Sequence, residues 1–312
     1  MRRRSARIQA AGLVTIALGV LGCSSTPAAA PSTSAPATTA PPVSGAPTST
    51  PQPTPSARTS APVLPPVNPF PSLADYLAHR SGQVTAAVFD ARTRTTWLFH
   101  PGMVQDTASI VKVEIMGALL RDAEVSGRPL TQAQTNLMTT MIENSDNTAA
   151  TALWAEAGGP AGIGRFDRSI GMDQTTPSTL ALIPGTQLPG WGLTTTSARD
   201  EVTLVSKFAF PNLVFNNTDR RYGLSLMEHI EADQAWGVGF GLPAGTTVAL
   251  KNGWVPIPPT NQWQVNSIGW VKGHGRNYVL AVLTQGNPSE AYGIATIETI
   301  AARVFADLSP NR

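Results

Sequence analysis

The chain has 312 residues, 42% hydrophobic and 13% charged, with one cysteine and a formal charge of +2. Four of its 22 basic residues are Arg2, Arg3, Arg4 and Arg7, which leaves 18 basic against 20 acidic residues elsewhere. That balance provides no basic patch for nucleic acid, and a lone cysteine excludes a disulfide framework within the chain.

Arg2 to Arg7 form a positive n-region, and Ala10 to Leu21 an apolar stretch too short to span a bilayer. Cys23 follows Val20-Leu21-Gly22 directly. This arrangement resembles a bacterial lipobox, although Leu21 is larger than the residue usual at its position. Residues 1–22 are therefore expected to be a lipoprotein signal peptide, with lipid on Cys23 holding the mature chain to the membrane. Residues 23–71 are mostly Ala, Pro, Ser and Thr with almost no charge. Such a composition buries too little apolar surface to fold, and its prolines favour an extended tether rising ~3.1 Å per residue.

Residues 72–312 are long enough for one large domain. The pattern predicts a helix over Ser72–His79, then strands at Val84–Phe89 and Thr95–Phe99 joined by a hairpin turn. Ile110, Val111, Val113, Ile115, Met116, Ala118, Leu119 and Leu120 are apolar nearly all round a helix, which predicts a buried one. An all-helical stretch follows from about Leu130 to Ile170. In "TTTSARDEVTLV", Ser197 with Asp200 three residues later reads as a helix start. Strands are predicted at Thr246–Lys251, Val265–Val271 and Asn277–Thr284. A closing helix carries Ile294, Ile297, Ala301, Val304 and Leu308 on one stripe. Strands at both ends with helices between predict an α+β domain whose two ends share one sheet.

Ser109 and Lys112 stand one turn apart in the buried helix. A lysine there loses hydration, its pKa falls, and a neutral amine beside a hydroxyl is a base beside a nucleophile. The alternative is a serine cap and a lysine that snorkels to water. Downstream, Ser145-Asp146-Asn147 lies between two helical patterns, and Lys251-Asn252-Gly253 ends a strand-like run. Ser-x-x-Lys, Ser-Asp-Asn and Lys-Thr-Gly, in that order, mark class A β-lactamases and penicillin-binding proteins. Residues 72–312 resemble that superfamily, closest to class A.

The resemblance implies a β-lactamase-like fold of three α/β/α layers: a five-stranded antiparallel sheet flanked by helices, with a helical subdomain to one side. It implies a serine hydrolase of the β-lactamase or D,D-peptidase type, with no cofactor or metal. Ser109 would be the nucleophile, Lys112 its proton acceptor, and Ser145 the proton donor to the leaving nitrogen. Asn147 would hold the substrate's side-chain amide, and Lys251 would attract its carboxylate. Asn252 and Gly253 would line the substrate site, and the N–H groups of Ser109 and Trp254 would form the oxyanion hole. Asp146 reads as a cap. Glu114, about 140° round the helix from Ser109, reads as structural. The expected partner is a β-lactam or peptidoglycan-type small molecule. The expected state is a monomer in the bacterial cell envelope, at the outer face of the cytoplasmic membrane.

Three departures bear on activity. Class A enzymes carry a deacylating glutamate in the loop before the "TT" helix start, and that place falls near Leu180-Ala181. No Asp or Glu occurs between Gln174 and Arg199, so slow turnover is expected, with Glu143 the nearest acidic substitute. Asn252 stands where Thr or Ser is usual, and an amide there can still donate to a carboxylate. Ser145 follows Ser109 by only 36 residues, which implies a more open site. Two alternatives remain: a penicillin-binding protein that acylates without efficient turnover, or a non-catalytic surface-binding lipoprotein.

Other chemistries find little support. His79, His100, His229 and His274 have no metal-site spacing, and no Gly-x-Ser-x-Gly elbow is present. Gly237, Gly239 and Gly241 lack the Lys-Ser/Thr of a phosphate loop and read as a turn. Trp191, Trp254, Trp263 and Trp270 read as packing residues of core or rim.

Overall fold

Short local signals place most of the helices. The computed structural model describes residues 67–310, all within the unit Ala61–Arg312. The expected signal peptide, Cys23 and most of the expected tether lie outside the described residues. A 3-10 turn at Pro71–Leu73 leads into helix α1 (Ala74–Ala78), and β1 (Gln83–Asp90) and β2 (Thr95–Phe99) follow as the expected hairpin. The short strand β3 (Val104–Asp106) passes through a 3-10 turn at Ala108–Ile110 into α2 (Val111–Ser126).

The helical middle comprises α3 (Gln132–Glu143), α4 (Asn147–Glu156) and α5 (Gly159–Ile170). Thr131 and Gln134 form a reciprocal capping box at the start of α3. Asp146 caps α4 by accepting the Ala149 N–H at 2.6 Å, the structural role expected of it. A long loop then reaches β4 (Thr195–Ser197) and α6 (Ala198–Ala209). Ser197 caps α6, but Asp200 does not close a box back onto it. Its carboxylate instead takes the Gln174 N–H at 2.7 Å and the Thr175 hydroxyl at 2.8 Å, tying the root of the loop to α6. Helix α7 (Asn217–Glu228) precedes β5 (Thr247–Ile257), β6 (Gln262–Gly273), β7 (Arg276–Asn287) and α8 (Glu290–Asp307).

The sheet order is β2-β1-β7-β6-β5, antiparallel throughout, so the two ends of the domain do share one sheet. Its central strand β7 is buried continuously from Tyr278 to Thr284, the unbroken apolar run expected of a strand covered on both faces. On one face α8 packs through Ile297, Ile300, Ala301 and Val304. On the other lies the helical core built round α2, with ten consecutive buried residues from Val111 to Leu120.

Two features depart from expectation. Strand β5 does not stop at the Lys-Asn-Gly motif but pairs with β6 from Thr247 opposite Lys272 to Ile257 opposite Gln262. Pro256 is tolerated because β5 is the sheet's edge strand. Strands β3 and β4 form a separate two-stranded ribbon. At three residues each, they are too short for alternation to reveal.

Candidate active site

Ser109 sits in the 3-10 turn that opens α2, and Lys112 follows one turn later, which brings Nζ within 2.9 Å of Ser109 Oγ. Lys112 is fully buried. The turn joining α3 to α4 reaches the same nitrogen: it lies 2.6 Å from the Ser145 carbonyl, 3.0 Å from Ser145 Oγ and 2.9 Å from Asn147 Oδ1. Ala108 (φ 48°) and Ser145 (φ 56°) both hold left-handed backbone without being glycine. Such residues cost ~1–3 kcal/mol each and tend to cluster where geometry is functional.

Burial, with Lys251 as the next contributor, pushes the Lys112 amine down to about 6 against an opposing pull from Asp146. A neutral amine has two N–H bonds and one lone pair. The Ser145 carbonyl and Asn147 Oδ1 only accept, so they take the two N–H groups. The lone pair then remains for a hydroxyl proton, and Ser109 Oγ is in place to give one.

Lys251 is also buried, with Nζ 3.0 Å from Ser145 Oγ and 3.0 Å from the Asn252 carbonyl. Burial pushes it down to about 7. The Ser145 hydroxyl thus bridges two amines. Gly253 sets how closely β5 approaches the nucleophile: a Cβ there would lie 2.7 Å from Ser109 N and Thr107 O. Trp254 follows, half-buried and edge-on to Trp236 with ring centroids 5.7 Å apart.

Ser109, Lys112, Ser145, Asn147, Lys251 and Gly253 therefore converge. Asn252 does not join them, which corrects the expectation that its amide meets a substrate carboxylate. Strand alternation sends it to the opposite face from Lys251 and Gly253. There it is fully buried, and Nδ2 donates to the carbonyls of Gln234 (2.7 Å) and Trp236 (3.0 Å).

Asp146 is held at the α4 cap, and the other acidic groups lie elsewhere. Glu143 stands close enough to Tyr222 of α7 to influence its phenol. Glu114 is buried with both carboxyl oxygens unpartnered, in the company of Asp167 and Glu201. Leu180 and Ala181, the place where counting puts a deacylating residue, are exposed. Sequence reasoning missed what the loop does supply. Trp191 is 6% exposed, and its ring centre lies 5.1 Å from Lys112 Nζ. No spacing rule links residue 191 to residue 112, so only the fold reveals this contact. Among the described residues no cluster of three or more His, Cys, Asp or Glu is arranged for a metal, and no helix is long and apolar enough to cross a membrane.

The same fold occurs in known proteins. A family model described as "Beta-lactamase enzyme family" matches residues 131–308. The β-lactamase Toho-2 of Escherichia coli is 26% identical over 257 residues, covering 72% of this chain and 84% of that protein. The crystal structure of TLA-1 extended-spectrum β-lactamase superposes with a TM-score of 0.69 at 17% identity, over 77% of this chain and 98% of that one. A class A β-lactamase from Bacteroides cellulosilyticus gives 0.68 at 17% identity, over 78% and 98%. At such identities the structural likeness is one of fold. The family match spans more than half of the sequence, and on that ground the chain belongs to the β-lactamase enzyme family.

Proposed function

We propose that this chain is a serine hydrolase that forms an acyl-enzyme on Ser109, from a β-lactam or from a cell-wall-derived peptide or ester, and releases it slowly. The observation that carries this reading is the Lys112 amine, buried, depressed to about 6, and 2.9 Å from Ser109 Oγ. As Oγ bonds to the carbonyl carbon, its proton passes to Lys112 Nζ. The carbonyl oxygen takes negative charge beside the N–H groups of Ser109 and Trp254; one such donor is worth ~10²–10³ in rate. The C–N bond then breaks as Ser145 gives its proton to the nitrogen, and Lys112 restores that proton to Ser145 across 3.0 Å. Lys251, while charged, draws the substrate carboxylate to this end of β5.

Slow release is supported by the loop 174–199, which has no carboxylate to activate water. The same observation favours a second reading, a penicillin-binding protein that stays trapped after acylation. The context of Cys23 supports a membrane-anchored form in the bacterial envelope, with the Pro-rich segment as its tether.

A chromogenic cephalosporin mixed with the full chain tests both readings. The expected result is a burst of about one product per protein, followed by a much slower steady rate, both absent from Ser109→Ala. A steady rate with no burst would contradict slow release. No product, together with no Ser109 adduct from a depsipeptide, would leave a binding protein.

A further inference from the structure

Trp191 belongs to the loop that precedes β4, and its indole covers Lys112. The indole N–H donates to Thr151 Oγ1 at 3.1 Å, and that hydroxyl in turn donates to the Asn147 carbonyl at 2.8 Å. The ring is therefore anchored to α4, the helix that presents Asn147 Oδ1 to Lys112. We propose that Trp191 is a positioning residue whose indole roofs the Ser109–Lys112 pair, excluding water so that Ser109 is readily acylated while the resulting ester is protected from hydrolysis. This rests on the acyl-enzyme reading above.

Two opposing effects act on the amine. An aromatic face favours the charged form by ~0.5–2 kcal/mol. Exclusion of water favours the neutral form and dominates here, because burial is the largest cause of the depression to about 6. The other charged groups acting on Lys112 are Lys251 of β5, which reinforces the depression, and Asp146 at the α4 cap, which opposes it. Hydrolysis of the ester needs a water oxygen to add to the acyl carbon, with one water proton returning to Ser109 Oγ as it leaves. The indole occupies the loop side of the pair, with its ring centre 5.1 Å from Lys112 Nζ, and closes that approach to such a water.

The chain has only four lysines, Lys112, Lys207, Lys251 and Lys272. Their side chains can be followed by NMR in the full chain labelled with [ε-13C]lysine, the Lys112 signal being the one lost in Lys112→Arg. In Trp191→Ala, the Lys112 midpoint is expected to rise by at least one pH unit, and in Trp191→Phe to stay within a few tenths of wild type. Thr151→Val, which removes only the exposed anchor, is expected to shift it in the same direction by less, and it covers the case in which Trp191→Ala does not fold. The lifetime of the benzylpenicillin adduct is expected to fall at least tenfold in Trp191→Ala. An unchanged midpoint in both Trp191→Ala and Thr151→Val, or an unchanged adduct lifetime, would overturn the proposal. Absence of any Ser109 adduct on the wild type, from benzylpenicillin and from a depsipeptide alike, would instead refute the acyl-enzyme reading, and the lysine titration would still decide whether Trp191 keeps the amine dry.

Discussion

Ser109, Lys112, Ser145 and Lys251 were legible as a group because each depends on local rules. Three-residue spacing on an apolar helix puts the first two together, and the order of the later motifs supplies the others. Asn252 was misread because a sequence motif does not say which way a strand residue faces. Asn252→Ala leaves the carbonyls of Gln234 and Trp236 without their donors, and is expected to cost about 1–3 kcal/mol of stability. If it folds, Ser109 acylation should change little. Gly253→Ala is expected to do the reverse. Its Cβ meets backbone atoms of Thr107, Ser109 and Ile110 within 2.8 Å, so acylation should fall at least tenfold. Denaturant melts and acylation rates on the same preparations separate the two outcomes. Severe loss of acylation with intact stability in Asn252→Ala would contradict the assignment.

Among the elements, the packing of α2 against α5 and α6 is the least explained by apolar burial. It encloses Glu114, Asp167 and Glu201 together. Burial pushes Asp167 and Glu201 up to about 8 and Glu114 well above its usual range, with neighbouring carboxyls adding to the effect. An acid whose pKa is higher in the folded state than in the unfolded state holds more protons when folded, between the two values. Stability contributed by these groups is therefore highest near the unfolded values of about 4 and falls as pH rises, the Asp167 and Glu201 contributions levelling off above about 8. Glu114→Gln removes one of the ionising groups. It should flatten this dependence and stabilise the domain at pH 8, because the folded state no longer has to keep protonated a carboxyl that ionises in the unfolded chain. Thermal melts between pH 4 and pH 8 check this. A wild-type Tm that rises across that range would contradict it. None of this was readable in the sequence, where Glu114 could be placed away from Ser109 but its companions, 53 and 87 residues later, could not.

For the whole molecule, the split sheet was legible because strand-like runs sit at both ends with helices between. The β3–β4 ribbon and the path of the loop to Trp191 were not, since both depend on contacts between distant, weakly patterned segments. Together these pieces bury a lysine beside a serine under a tryptophan, in a fold shared with class A β-lactamases. The central claim is that Lys112 serves as a neutral base. The most direct measurement is the pH dependence of the Ser109 acylation rate, using the full chain with benzylpenicillin and intact-mass detection. The rate should rise through about pH 6 as Lys112 loses its proton, and fall above about pH 7 as Lys251 loses its charge. A rate still climbing towards pH 10, as an ordinary exposed lysine would give, would contradict the account.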